Sequence, residues 1–426
     1  MLAATIIASA ALLALGLTHT AIWGDILPLG VLYVGFFMAI AWKHRTLAMF
    51  LIYGSALFPI DIFGQGGGAG LAIGAGEVHL AFVSLLLVFD FVIHRWPIPR
   101  SPLYITVVIY FAVCIISTVN HYQGTTAIVS IVQMFLYFIV TTAVFSNFVP
   151  HTEQHVRILH GIIVGGVVLA LGVLITNSVS IWNMNKNGIG GALSYSMIVC
   201  AELWISAKEP RRRALLGLIL LILIVGLFRT LSRGSWLCGI TGVLFIIFIR
   251  GELGVIVKGL AIVTPIVGLF WFLLSDFDRS YIFGFSMKNQ NISDRIKFID
   301  IAQSIWEFHK WIGWGVGLRK NLDATNIVWL TLCETGILGL IGFALIHLTF
   351  FIMIFNARRR IPYDDPRFTP ISVGGALVLG KFVHGCVDHY WSRGSLLVVW
   401  GAAGMAIAAY YSILNDERAK MEGMTK

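Results

Sequence analysis

Long apolar runs alternate with short polar connections along the whole chain. Runs of spanning length, or slightly below it, begin near Leu2, Ile26, Thr46, Val78, Leu103, Ile128, Ile158, Ile189, Ala214, Trp236, Val255, Ile327, Ile371 and Leu396. A helix needs ~20 apolar residues to cross a hydrocarbon core of ~30 Å, and several runs are short for that. The pattern therefore predicts an all-α fold, a polytopic transmembrane helical bundle of 12–14 helices, two of the runs being re-entrant or interfacial at the lower count. No small-residue cleavage pattern follows the first run, so residues 2–23 are expected to stay as a helix.

Charge orients the bundle. The clusters Lys43-His44-Arg45, Arg95 with Arg100, Lys208 through Arg213, Arg250, Arg358 through Arg360, and Arg418 with Lys420 all fall in alternate connections. Fourteen spans with both ends cytoplasmic put every cluster inside, as the positive-inside rule requires. The net charge of +9 is thereby accounted for without a nucleic-acid partner. With 58% hydrophobic and 12% charged residues, against about 25% charged in soluble domains, composition excludes a water-soluble globule. The five cysteines lie within or beside apolar runs without metal-site spacing, so neither a disulfide framework nor a zinc site is expected. The glycine-rich stretch 64–70 lacks a strand–turn–helix setting and is expected to be an external loop. No internal repeat or matched pair of broken helices is evident.

The same alternation leaves one long external connection, residues 276–326. Within it Ser293-Asp294 is expected to cap an amphipathic helix whose apolar face is Phe298, Ile301, Ile305 and Phe308, lying on the membrane or over a cavity. The stretch Trp311–Gly317 is an aromatic, turn-rich return to the bilayer.

External connections should be poor in basic residues, so the exceptions are candidates: Lys186, Arg229, Arg233, Arg295, Arg319 and Arg393. Arginine's planar fork suits a phosphate, and a polyprenyl pyrophosphate would present one at this depth; snorkelling to lipid head groups is the structural alternative. Arg233, beside Ser232 and Gly234 at the mouth of a span, is the favoured functional member. Further polar groups lie in or at the ends of apolar runs. Glu334 sits about two turns into its span, and Lys381, His384 and Asp388 have the spacing of one helix face. Glu334 as a satisfied carboxyl pinning helices, His384 in a structural hydrogen bond, and Asp388 paired with Lys381 or Arg393 are the alternatives to catalysis. Trp306, Trp311, Trp314 and Trp391 suit the interfacial belt, or a platform for sugar rings.

The order of four elements resembles the superfamily of O-antigen ligases and Wzy-type O-antigen polymerases, bacterial membrane glycosyltransferases of the GT-C type. They are Asn185-Lys-Asn-Gly188, Thr230-Leu-Ser-Arg-Gly-Ser-Trp236, the external loop with Arg295 ahead of Trp306 and the glycines 313, 315 and 317, and Glu334-Thr-Gly-Ile-Leu-Gly339. The resemblance covers residues 181–426, including loop 276–326, and leaves 1–180 as an N-terminal transmembrane bundle. It implies an inner-membrane enzyme with its site facing the periplasm. The donor would be an undecaprenyl-pyrophosphate-linked glycan and the acceptor a hydroxyl of a glycan or of a lipid-linked glycan, with no metal and no cofactor. Membrane lipids and a chain-length regulator or other envelope-assembly proteins are the partners it implies.

By this resemblance Arg233 and Arg295 hold the pyrophosphate, and Lys186, Asn187, Arg229, Arg319, Asn326, Trp391 and Arg393 contribute to binding. Glu334, His384 and Asp388 complete the catalytic set, with Glu334 stabilising an oxocarbenium-like carbon. Where the family carries His-Asn, this chain has Thr325-Asn326. Threonine is no general base near neutral pH, so His384 with Asp388, Glu334 and His309 are the substitutes, and a polymerase is favoured over a lipid A-core ligase. A secondary transporter or lipid-linked glycan flippase is the alternative of another class, against which the gathering of charge at the outer mouth counts.

Overall fold

A computed structural model describes residues 23–58, 61–63, 73–93, 101–149, 151–182, 184–252, 290–320, 324–392 and 394–424, with 254, 268 and 322. The predicted runs at Leu2 and Val255 and the glycine-rich loop lie outside these residues. The described chain is a helical bundle: α1 (Trp23–Lys43), α2 (Arg45–Ala56), α3 (Ala75–Ile93), α4 (Pro102–Asn120), α5 (Thr125–Asn147), α6 (His155–Thr176), α7 (Lys186–Ser206), α8 (Pro210–Arg229), α9 (Arg233–Arg250), α10 (Gln290–Phe308), α11 (Ile327–Arg358), α12 (Phe368–Gly385) and α13 (Ser395–Met424). A short antiparallel pairing, Asp61–Phe63 with Ile73–Gly74, lies between α2 and α3.

Among the described residues eight helices are long and apolar enough to cross a membrane, and the chain is a multi-pass membrane protein. The run at Thr46 departs from expectation. It forms only the 12 residues of α2, and at 1.5 Å per residue such a helix reaches roughly 18 Å, short of a bilayer core.

The core is continuous through the bundle. α9 packs along α12, α12 along α13, α4 along α11, and α7 lies among α6, α8 and α9. Outward faces keep bare apolar side chains such as Ile105, Val119 and Ile175, which suits a surface solvated by lipid. Toward the end of α7, Glu202 accepts Arg250 Nε at 3.0 Å and Ser372 Oγ at 2.9 Å. These groups, all buried, satisfy one another in a setting where an unpaired charge would be costly.

α11 is broken. Gly336 adopts φ 65° and ψ −166°, a backbone only glycine takes without penalty. A continuous helix would bond the Ile337 and Leu338 amides to the Cys333 and Glu334 carbonyls. Residues 310–315 replace both bonds. Ile337 N donates to Lys310 O at 2.8 Å and Leu338 N to Trp311 O at 3.2 Å. Trp314 N donates to Cys333 O at 2.8 Å and Gly315 N to Glu334 O at 3.0 Å. The chains approach so closely that a Cβ on Gly336 would overlap the backbone of Trp311, and one on Gly313 that of Glu334.

α10 also differs from expectation. It is already helical at Gln290, so Ser293-Asp294 lies inside the helix instead of capping it. Its apolar positions divide. Ala302 and Ile305 pack with Leu330 and Cys333 of α11, and Trp306 meets Trp329 at 6.0 Å, while Phe298, Ile301 and Phe308 are exposed.

Gly336→Ala should therefore lower the Tm of the purified protein sharply, since the left-handed backbone alone costs ~1–2 kcal/mol and the overlap adds to it. Gly35→Ala, where a Cβ meets nothing within 4 Å, should leave Tm essentially unchanged; equal shifts would contradict this account.

Candidate functional site

Four helix ends converge on one end of the bundle. Asn185 caps α7 by accepting Gly188 N at 2.8 Å. Ser232, at the start of α9, donates to Asn187 Oδ1 at 3.1 Å and shares a 2.8 Å bond with Ser235. His384, in the last turn of α12, lies against Gly191 of α7 and Gly234 of α9, where a Cβ would stand 3.6 Å and 3.1 Å from its ring carbons. Tyr195 OH and Ser395 Oγ, 2.6 Å apart, tie α7 to the start of α13.

The turn 386–394 after α12 is the centre of this end. Asn326 caps α11 by accepting Val328 N at 3.0 Å and Trp329 N at 3.3 Å, and it donates Nδ2 to Cys386 O at 2.9 Å. Arg295 of α10 donates to Val387 O and pairs with Asp388 Oδ2 at 3.4 Å. Lys381 donates to His389 O and to Ser392 Oγ, both at 2.9 Å. Glu77 of α3 accepts Gly394 N and Tyr137 OH through Oε1, each at 3.1 Å, and Gly74 N through Oε2 at 3.1 Å. The helix ends before Asp388, so Asp388 does not share a helix face with Lys381 and His384 as its spacing suggested; it pairs with Arg295. His384 Nε2 stands 3.9 Å from the same Asp388 oxygen. Both ring nitrogens of His384 are buried without a hydrogen-bond partner among the described residues.

Glu334 is engaged on both oxygens. Its Oε1 accepts Gly317 N and Arg319 N at 3.0 Å and Arg319 Nε at 3.1 Å, and Oε2 pairs with Arg319 Nη2. The Arg319 guanidinium lies 4.2 Å from the Trp391 ring centre, and Trp391 meets Phe138 edge-on at 5.7 Å. Burial opposes the charge on Arg319, but the Glu334 carboxylate outweighs it and holds the guanidinium above its ordinary range. In this geometry Glu334 clamps the loop 317–319, as the reading of a satisfied carboxyl has it, Arg319 is buried in that clamp, and the half-buried Trp391 lies over the guanidinium.

Of the remaining candidates, Arg229 donates to Asn177 Oδ1 at 2.9 Å and to Asn177 O at 3.1 Å, closing the end of α8 onto that of α6. Lys186 and Arg233 are half-buried at the starts of α7 and α9. Arg393 lies outside the described residues. His309 is occupied by aromatic contacts, 4.3 Å from His121 and 4.7 Å from Trp314. Sequence reasoning missed Glu77, Tyr137 and Ser117, whose Oγ donates to Glu334 O at 2.6 Å. A lone carboxylate opening an apolar run, as Glu77 does, is a legible signal of buried polar work; the serine and tyrosine carry none.

Compared with known proteins, the chain matches no family model and no curated protein.

Removing one partner of a buried pair costs ~3–5 kcal/mol, because the other charge stays buried. Glu334→Gln should therefore lower unfolding stability by that order and expose the loop 313–319 to limited proteolysis. Unchanged cleavage would show that the carboxylate does not hold the loop.

Proposed function

We propose that the chain is a bacterial inner-membrane glycosyltransferase of the Wzy-type polymerase class, transferring a glycan from a polyprenyl pyrophosphate to a hydroxyl of an acceptor glycan at the periplasmic face. The observation that carries this reading is His384: an imidazole with unused nitrogens at the external end of the bundle, beside a carboxylate and among the ends that bear Lys186, Arg233 and Arg295. A further point supports it. Asn326 bonds Cys386 O, which brings position 325, where the resembled family carries histidine, to the turn that follows His384.

In this mechanism the acceptor hydroxyl forms a bond from its oxygen to the anomeric carbon while the bond from that carbon to the pyrophosphate oxygen breaks. His384 takes the hydroxyl proton, and the polyprenyl pyrophosphate leaves with the electron pair. The developing negative charge on the leaving group is met by Arg233 and Arg295, and in a site shielded from water one such donor is worth ~3 kcal/mol. Half-burial suits Arg233 and Arg295 to this role, because each lies near enough to the surface to meet a head group and deep enough to escape full screening. Arg319 and Glu334 contribute by holding the loop against α11, not by touching the substrate.

Removal of a general base typically costs roughly 10²–10⁴-fold. His384→Ala should lower transfer by that order in membranes supplied with lipid-linked repeat units, and Arg233→Ala should abolish long-chain glycan in cells at unchanged protein level. Thr325→Ala should keep substantial activity. A gel ladder of normal length from His384→Ala or Arg233→Ala would overturn the assignment, and complete loss in a folded Thr325→Ala would return the base to that position.

A further inference from the structure

Asp388 faces two groups with one oxygen. Its Oδ1 accepts His389 N at 2.7 Å, which holds the carboxylate in the turn. Its Oδ2 faces Arg295 Nη2 at 3.4 Å and His384 Nε2 at 3.9 Å. The first separation is an ion-pair contact and the second is too long for a hydrogen bond. Exposure is lopsided: the Asp388 side chain is 3% exposed, that of His384 5% and that of Arg295 38%. The arginine thus reaches in from the outer side to a buried carboxylate, and the buried imidazole behind it has no hydrogen-bond partner among the described residues. A buried polar group with unmet capacity favours any rearrangement that supplies a partner.

We infer that Arg295 and His384 compete for Asp388, and that a diphosphate drawing Arg295 outward hands the carboxylate to His384. The diphosphate part rests on the glycosyltransferase reading; the competition itself rests on the geometry alone. Once Oδ2 accepts the Nε2 proton, the tautomer is set and Nδ1 is left as the proton acceptor. Donor binding then switches on the base, and a site without donor holds its histidine idle, which protects the lipid-linked glycan from chemistry before both substrates are in place. Asp388 acts through His384 and is a positioning residue. Arg295 has two successive partners, first the carboxylate and then the leaving group.

Several elements present groups to His384. Lys381, one turn earlier on α12, is held by His389 O and Ser392 Oγ. His389 follows in the turn, Arg295 enters from α10, and Asp388 completes the set. α7 presents Gly191, with Tyr195 OH beyond it bonded to Ser395, and α9 presents Gly234. Lys381 is fully buried and bonded twice to the turn, whereas Arg295, bonded there to Val387 O, is 38% exposed; Arg295 is thus a cation that a ligand from outside can reach, and its withdrawal leaves Asp388 to favour the protonated ring.

The test is a histidine-selective NMR titration of the full chain in lipid nanodiscs, with the His384 signal assigned by His384→Gln. Without ligand, Arg295→Gln should raise the His384 midpoint by about one pH unit or more, as a carboxylate freed within ~4–6 Å does, while Arg295→Lys should stay near wild type. Inorganic pyrophosphate, its binding followed by its own phosphorus signal, should raise the wild-type midpoint and leave Asp388→Asn unmoved. An Arg295→Gln midpoint equal to wild type overturns the competition whatever the protein's activity. Saturable pyrophosphate binding without a shift overturns the donor-triggered exchange and leaves the glycosyltransferase reading standing. Absence of any pyrophosphate binding counts against that reading, and the Arg295→Gln comparison still decides the competition.

Discussion

The end of the bundle that carries the candidate site depends on a repair to a broken helix. Gly336 turns the backbone of α11 out of the helical region, which frees two amides and two carbonyls at a depth where unpaired backbone groups are expensive. The segment 310–315 satisfies all four. The Glu334 carboxylate then reaches past the break to take the amides of Gly317 and Arg319 along with the Arg319 guanidinium. A loop carried from α10 to α11 is thereby bonded to the bundle backbone-to-backbone. Few side-chain contacts place a connection so firmly, because each bond lost from a helix is matched by one of known direction.

That fixed loop determines where everything else sits. Arg319 meets Trp391 and Asn326 meets Cys386 O, so the turn after α12 is docked against the repaired break. From the other side Glu77 and Tyr137 of the N-terminal spans secure the same turn at Gly394. The N-terminal bundle, which in the sequence carries no motif of its own, therefore builds one wall of the candidate site. Polar groups here fall into two kinds. Glu77, Glu334 and Arg319 are saturated by backbone amides and by one another and belong to the framework. His384 retains hydrogen-bonding capacity, and Asp388 holds an arginine that comes from a separate helix. Framework groups resist change; the other kind invites a ligand.

Glycine serves opposite ends in this arrangement. At 313 and 336 it permits two backbones to touch, so the loop is rigid. At 191 and 234 it lets α7 and α9 pack against the His384 ring, where a Cβ would stand 3.6 Å and 3.1 Å from the ring carbons. The same residue type seats a loop in one place and a side chain in the other, and only the neighbours distinguish the two uses.

Periodicity and charge alone determined the class of fold, the starts of nearly every described helix, and the gathering of Arg233, Arg295, His384 and Asp388 at one end, because a bilayer imposes length and polarity on each span separately. What they could not determine was partnership. Nothing in the order of residues distinguishes Arg319, buried against Glu334, from Arg295, reaching in from the surface, since both are lone arginines in one long connection. Nor does spacing reveal that α12 stops before Asp388, or that α2 is too short to span. Ion pairs and helix breaks are settled by which distant segments meet, and the decisive meetings here, Glu77 with Gly394, Ser117 with Glu334 and Asn326 with Cys386, join parts of the chain that local pattern treats as unrelated.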